Sequence, residues 1–219
     1  MTSSKAHRRT THTRNAPPPG NAIVLFDGSG ISNWTSRDGD PAQWRVEGDI
    51  LHVTPGTGDI MTTQRMTNFV MHLEFRCPDM PQATGQAKGN SGVFLQGRYE
   101  VQVLDSYGWD KPGLGDCGAI YNQFASLSNG CRPAMEWQTY DVVFRAPRAG
   151  DSGPTLSLAH NDIIIHNNVQ LPGVTGAAID EDILTPGPLL LQDHRDLVCY
   201  RNIWIVELAA AGSSNYEPA

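Results

Sequence analysis

Within YEVQVLDSYG, residues 99–108, Glu100 and Gln102 alternate with Val101 and Val103. Side chains two apart on a strand share a face, so this stretch presents an acid and an amide together, with apolar groups opposite. Asp105 joins that face if one extra residue enters the run, as at a bulge. A carboxyl can move a proton, and an amide can hold a polar ligand as both donor and acceptor. Two other segments repeat the mixture. In PLLLQDH, Leu190, Gln192 and His194 share a face; in NSGVFLQGR, Asn90, Phe94, Gln96 and Arg98 do. Amides with a few ionisable groups suit the hydroxyls of a sugar, and Tyr107, Trp109 and Tyr121 can stack on the apolar face of a pyranose. The plainer alternative is a solvated strand face, on which any one of these residues is ordinary.

The elements that must position these residues are strands. Apolar and polar residues alternate in FVMHLEFR (69–76), where Phe69, Met71, Leu73 and Phe75 oppose His72, Glu74 and Arg76. About a dozen short runs of this kind follow one another, separated by turn signals such as EGD, PGTGD and QGR. TLSLAH and IIIHNN, joined by Asn161-Asp162, predict a tight hairpin. GAIY (118–121) reads as a further strand, and no segment carries helical periodicity with caps. The expected fold is all-β, two antiparallel sheets packed face to face with a polar concave face outside the core. At 219 residues and 39% hydrophobic, the chain can fill such a core.

Charge and motif content narrow the function classes. Residues 1–21 hold four Lys/Arg and no acid and end in a proline triplet, the composition of a disordered basic tail; 209–219 read as a flexible C-terminal tail. The intervening domain, 22–208, keeps 12 basic against 22 acidic residues, which disfavours nucleic acid as a partner. No run is long and apolar enough for a membrane span, and no secretory signal is seen at the start. Four cysteines without a CxxC pair argue against a structural zinc site. Cys117 and Cys131 bracket one loop-rich segment and are a candidate disulfide, worth about 3 kcal/mol if the compartment oxidises thiols. The glycine-rich turns at 56–59 and 113–116 lack the strand and helix that a phosphate loop requires.

Several phrases, in order, resemble the 3-keto-disaccharide hydrolase domain: IVLFDGSGISNW, WRVEGDILHVTPGTGDIMT, LEFRCP, GNSGVFLQGRYEVQVLDSYG, GAIYNQ, EWQTYDVVFRAP and PLLLQDH followed by YRNIWI. The resemblance spans about residues 22–208 and implies a concanavalin A-like jelly-roll sandwich. It further implies a carbohydrate substrate, a glycoside oxidised to a ketone at C3, in a family whose members are often exported. A C3 ketone acidifies the C2 proton, so a base can form an enolate that expels the C1 oxygen, and water then completes net hydrolysis. Such a site needs a base, an acid for the leaving oxygen, and donors or a divalent metal ion beside the enolate. Side-chain chemistry and strand faces nominate Glu100, His194, Glu74 and Asp105 for proton transfer. They nominate Asn90, Gln96, Gln102, Gln138, Gln192, Tyr121 and Trp109 for binding. The spacing also permits comparison with the laminarinase pattern Glu-x-Asp-x-x-Glu. Its places read Glu100, Gln102 and Asp105 here, so the central acid is an amide and the last is shorter. A non-catalytic lectin-like module and an ordinary β-glucanase are the alternative readings.

Overall fold

The computed structural model describes residues 13–210; the outer parts of both expected tails, 1–12 and 211–219, lie outside the described residues. Among the described residues thirteen strands form: β1 (Ile23–Phe26), β2 (Trp34–Ser36), β3 (Arg45–Glu47), β4 (Ile50–His52), β5 (Ile60–Met66), β6 (Phe69–Arg76) and β7 (Ser91–Leu95). They continue as β8 (Tyr99–Val103), β9 (Gln138–Arg145), β10 (Thr155–His160), β11 (Ile163–Gln170), β12 (Gly187–Leu191) and β13 (Cys199–Glu207). Among the described residues the one helical element is a 3₁₀ turn, Gly85–Ala87. The expected all-β class is what forms. One sheet of eight strands runs β11-β10-β9-β6-β13-β4-β3, with β1 also on β13. The second, of five, runs β2-β5-β12-β7-β8. We call them the large and small sheets; they stack as an antiparallel jelly-roll sandwich.

Period-2 alternation decides which residues enter the core. Phe69, Met71, Leu73 and Phe75 of β6 meet Val93, Val101, Val103, Leu189 and Leu191 of the small sheet in one buried cluster. Each such side chain gains about 1.5–3 kcal/mol by leaving water, so the two apolar faces hold the sheets together. The hairpin at Asn161-Asp162 forms as expected, with both residues at positive φ (50° and 69°), the geometry that two-residue hairpin loops favour.

Strand β8 is the edge of the small sheet, and its open side is covered. Gly118 N and Gln102 N bond to Gln102 O and Ala119 O at 2.9 Å, and Tyr121 N to Glu100 O at 3.1 Å. GAIY, expected as a strand, contributes only isolated bridges at Ile120 together with these bonds. Covering an edge in this way removes a template for pairing with another chain.

The turn between β7 and β8 carries Arg98, only 1% exposed. Its Nε donates to Asp180 Oδ1 at 2.5 Å, and Nη1 to the Thr185 carbonyl at 2.9 Å. Thr175 N donates to the Arg98 carbonyl at 2.9 Å, and the Thr175 hydroxyl accepts from Glu100 N at 2.9 Å. Arg98 therefore fastens the 175–185 loop over β8. Asp180 is half exposed, so removing its partner strands no buried anion; the loss is the packing and hydrogen bonds of the arginine itself. Arg98→Ala should lower the unfolding free energy in urea by about 3 kcal/mol. A change under about 0.5 kcal/mol would mean that the loop is held by other contacts.

Candidate active site

Three neighbouring strands build one polar patch on the outer face of the small sheet. In β7 and β8, Gly92 pairs with Gln102 and Phe94 with Glu100; Leu190 of β12 pairs with Phe94. Gln192 N then donates to the Gly92 carbonyl at 2.9 Å, so Gln192, Gly92 and Gln102 lie in one row across the sheet. Glu100 sits in the adjacent row and its carboxylate leans over Gly92. A Cβ at Gly92 would stand 2.6 Å from Glu100 Oε1, so the missing side chain is the room that the carboxylate occupies. Loops close the patch into a cavity of ≈ 240 Å³ lined by Gln86, Asn90, Glu100, Gln102, Tyr121, Gln192 and His194, with Gly176 and Ala177.

Burial pushes the Glu100 carboxyl up to about 8, and the charge of Asp59 adds to the rise. Around it the groups are neutral amides. Gln102 Nε2 donates to Gln86 Oε1 at 3.0 Å and to the Gly115 carbonyl at 3.3 Å, which fixes the orientation of that amide. Asn90 Nδ2 donates to the Gln86 carbonyl at 2.7 Å, fixing that one too. The oxygens left over, Asn90 Oδ1 and Gln102 Oε1, are buried without a partner, as is Gln192 Oε1. Buried acceptors are normally satisfied, so these three are suited to hydroxyl donors of a ligand. His194 is exposed at the rim. Its neighbour Asp193 points elsewhere, accepting from Gly56 N at 2.7 Å and Gly58 N at 3.0 Å. Glu100, His194 and the free amide oxygens are the lining groups able to ligate a cation; no three His, Cys, Asp or Glu ligand atoms converge in this cavity among the described residues.

Other nominated residues lie elsewhere, each for a physical reason. Glu74 is on β6 of the large sheet, facing away from the core. Burial would raise its carboxyl, but donors from His72, Asn202, Asn15 and Arg201 outweigh it and hold it down to about 2. His72 is correspondingly held up to about 9: burial opposes this, and Asp141 and Glu74 override it. Residues 13–16 of the expected basic tail lie over this network, with Asn15 N on Glu74 Oε1 at 2.5 Å and Thr13 Oγ1 on Asp141 Oδ2 at 2.7 Å. Asp105 does follow a break in alternation, since Val103 and Leu104 both enter the core. The break carries it away from Gln102, however, to pair with Lys88 at 3.0 Å.

Gln96 falls in the β7–β8 turn with φ 52°, which swings its side chain out of the row. Its Nε2 donates to the Met66 carbonyl at 2.8 Å. Gln138 belongs to β9 of the large sheet and accepts from His160 Nε2 at 2.9 Å. Trp109 is exposed in the loop after β8 and does not line the cavity. The bridge expected between Cys117 and Cys131 is not formed; both are free. Sequence reasoning missed Gln86, Gly176 and Ala177, which sit in loops without periodicity to mark them.

If Gly92 provides the space for Glu100, Gly92→Ala should push the carboxyl toward solvent. A ¹³C titration of Glu100 would then show its midpoint falling from about 8 toward the ordinary carboxylate range. Equal midpoints in both proteins would remove that role from Gly92.

Comparison with known proteins agrees with this architecture. A crystal structure of a candidate glycosyl hydrolase from Parabacteroides distasonis is 38% identical, with TM-score 0.78, over 86% of this chain and 84% of that one. A second from the same organism is 22% identical, with TM-score 0.66, over 86% and 94%. The alginate lyase Aly36B, as a mutant bound to alginate tetrasaccharide, shares the fold at 10% identity and TM-score 0.50, over 90% and 100%. No curated protein matches the chain. The 38%-identical relative, together with the family match over residues 21–206, supports a carbohydrate-active function. Residues 21–206 match the 3-keto-alpha-glucoside-1,2-lyase-like domain, and the chain belongs to that family.

Proposed function

We propose that the chain cleaves 3-keto-glycosides, with Glu100 as the base that removes the C2 proton and His194 as the acid for the leaving oxygen. The observation that carries this reading is the lone carboxyl of the cavity, held up to about 8 by burial among amides. A carboxylate with so high a pKa is a far stronger base than an exposed one, and it works near neutral pH. An ordinary retaining or inverting glycosidase needs two carboxyls across the scissile bond. Among the described residues Glu100 is the one carboxyl lining this cavity, which disfavours the β-glucanase alternative. At ≈ 240 Å³ the cavity is smaller than the roughly 300 Å³ at which drug-sized sites begin, in keeping with recognition of a single ring.

The steps balance on these residues. Glu100 takes the C2 proton, and the C–H electron pair moves into the C3 carbonyl as an enolate. Gln192 and Tyr121 offer donors to that oxygen, while the free acceptors of Asn90 and Gln102 hold the ring hydroxyls. The enolate collapses, the C1–oxygen bond breaks, and His194 protonates the departing alcohol. Water then adds at C1 of the enone, giving one proton back to His194, and Glu100 returns its proton to C2. The net result is hydrolysis with the base regenerated.

The test is incubation of the full chain with 3-keto-trehalose or a 3-keto-glucoside, with and without EDTA, following release of 3-keto-glucose. Glu100→Gln and His194→Ala should each lower kcat by roughly 10²–10⁴-fold. Binding without turnover in the unsubstituted protein would leave a lectin-like site instead. Because the base form exists above the Glu100 pKa, the acidic limb of the kcat/KM profile should have its midpoint near pH 8. The same shift has a stability consequence of definite sign. The unfolded chain loses this proton near 4.5 and the folded chain near 8, so stability falls as pH rises through that window. Glu100→Gln should flatten that decline in urea melts run between pH 5 and pH 9; an unaltered slope would mean that Glu100 titrates normally.

A further inference from the structure

Outside the cavity, the fold brings together three residues that are far apart in sequence. Cys117 and Cys131 from the loop between β8 and β9 meet His160 at the end of β10, and their ligand atoms all lie within 4.8 Å of one another. The tautomer of His160 is settled by its neighbours. Arg132 backbone N donates to Gln138 Oε1 at 3.0 Å, so that atom is the amide oxygen, an acceptor. His160 Nε2, 2.9 Å from the same oxygen, must therefore carry the proton. Nδ1 is left as a bare lone pair, buried and without a partner, in a side chain that is fully buried. Gly130 stands against it, and a Cβ there would lie 3.0 Å from Nδ1. A histidine oriented by an outer carbonyl, with its other ring nitrogen free and two thiols close to the ring, is the arrangement that metal-ligating histidines adopt.

We propose that Cys117, Cys131 and His160 form a zinc site that fastens the β8–β9 loop to the large sheet. Two sulfurs and an imidazole nitrogen are a soft donor set of the kind that zinc takes. In a tetrahedral site, bonds of about 2.3 Å to sulfur and 2.0–2.1 Å to nitrogen put neighbouring donors about 3.5–3.8 Å apart, so closure needs shifts of about 1 Å. On binding, both thiols release their protons to solvent, and two thiolates neutralise the dication. That neutrality favours zinc over a copper(I) ion, which would leave an uncompensated negative charge in a buried place. Cys131 is half exposed and leaves the fourth position to water. No oxidant is involved, in contrast to a Cys117–Cys131 disulfide. The fastened loop carries Tyr121 and the Gly115 carbonyl that holds Gln102, so the metal would stiffen one wall of the cavity.

The test uses the full chain, purified under reducing conditions and titrated with Co²⁺ as a spectroscopic stand-in. We expect saturation at one equivalent with a strong near-ultraviolet thiolate-to-cobalt band, displaced by Zn²⁺, and a higher melting temperature with zinc. Zinc-edge X-ray absorption should show two sulfur neighbours and one nitrogen. Cys131→Ser, a near-isosteric change at a half-buried position, should weaken the band and the zinc affinity at least tenfold. Absence of the band, its full retention in Cys131→Ser, or a zinc shell without sulfur would overturn the site. So would stoichiometric copper(I) that excludes zinc, or a Cys117–Cys131 disulfide in the metal-free protein as isolated.

Discussion

A carboxyl group sealed beneath loops, without a cation to compensate it, is the constraint around which the rest of the small sheet is organised. Glu100 is 5% exposed, and the influences on it are burial and a second acid. Holding an ionisable group there is unfavourable, so the surroundings must be rigid enough to keep it from turning out to water. The core side of β8 supplies that rigidity through Tyr99, Val101 and Val103, each essentially inaccessible. Gly92 leaves the space, Thr175 holds the main chain at Glu100, and Arg98 keeps the 175–185 loop in place above it.

The molecule contains a second buried glutamate that makes the comparison instructive. Glu74 is also inaccessible, yet it is held near 2 while Glu100 is held near 8. The difference is the company: Glu74 receives Arg201, Asn202, His72 and a backbone N–H, while Glu100 receives no such donor to its carboxylate among the described residues. One carboxyl is therefore a permanent anion that ties the N-terminal stretch to the large sheet. The other retains proton affinity. Identical side chains on strands of similar pattern have been given opposite properties by what surrounds them.

Much of this was legible in the sequence, and the failures have a common cause. Period-2 spacing placed Glu100 with Gln102, and Gln192 with His194, because alternation fixes which side of a strand a residue faces. It does not say which of two sheets a strand joins. Glu74 has the right chemistry and the right alternation but lies on the large sheet; Gln138 lies there too, on the face that Tyr140, Val142 and Phe144 turn to the core. Gln96 was misplaced because one left-handed backbone angle in a turn cancels the alternation, and Asp105 because a break after Val103 redirected the chain. Gln86 and the Cys117–Cys131–His160 cluster depend on long-range loop packing, which leaves no periodic trace. The absence of a CxxC pair spoke only to ligands close in sequence.

The cover over the free side of β8 also limits how the cavity can change. Residues 118–121 do two things at once: their main chain saturates an otherwise open strand, and Tyr121 forms part of the wall. Lifting that segment to admit a bulkier ligand would break three main-chain hydrogen bonds and bare an aggregation-prone edge. Remodelling of the pocket toward a bulkier ligand, by drift or by design, is thus steered to the wall formed by residues 176 and 177. There Gly176 and Ala177 are exposed, add little bulk, and lie outside every strand, so the loop can change there without unpairing one.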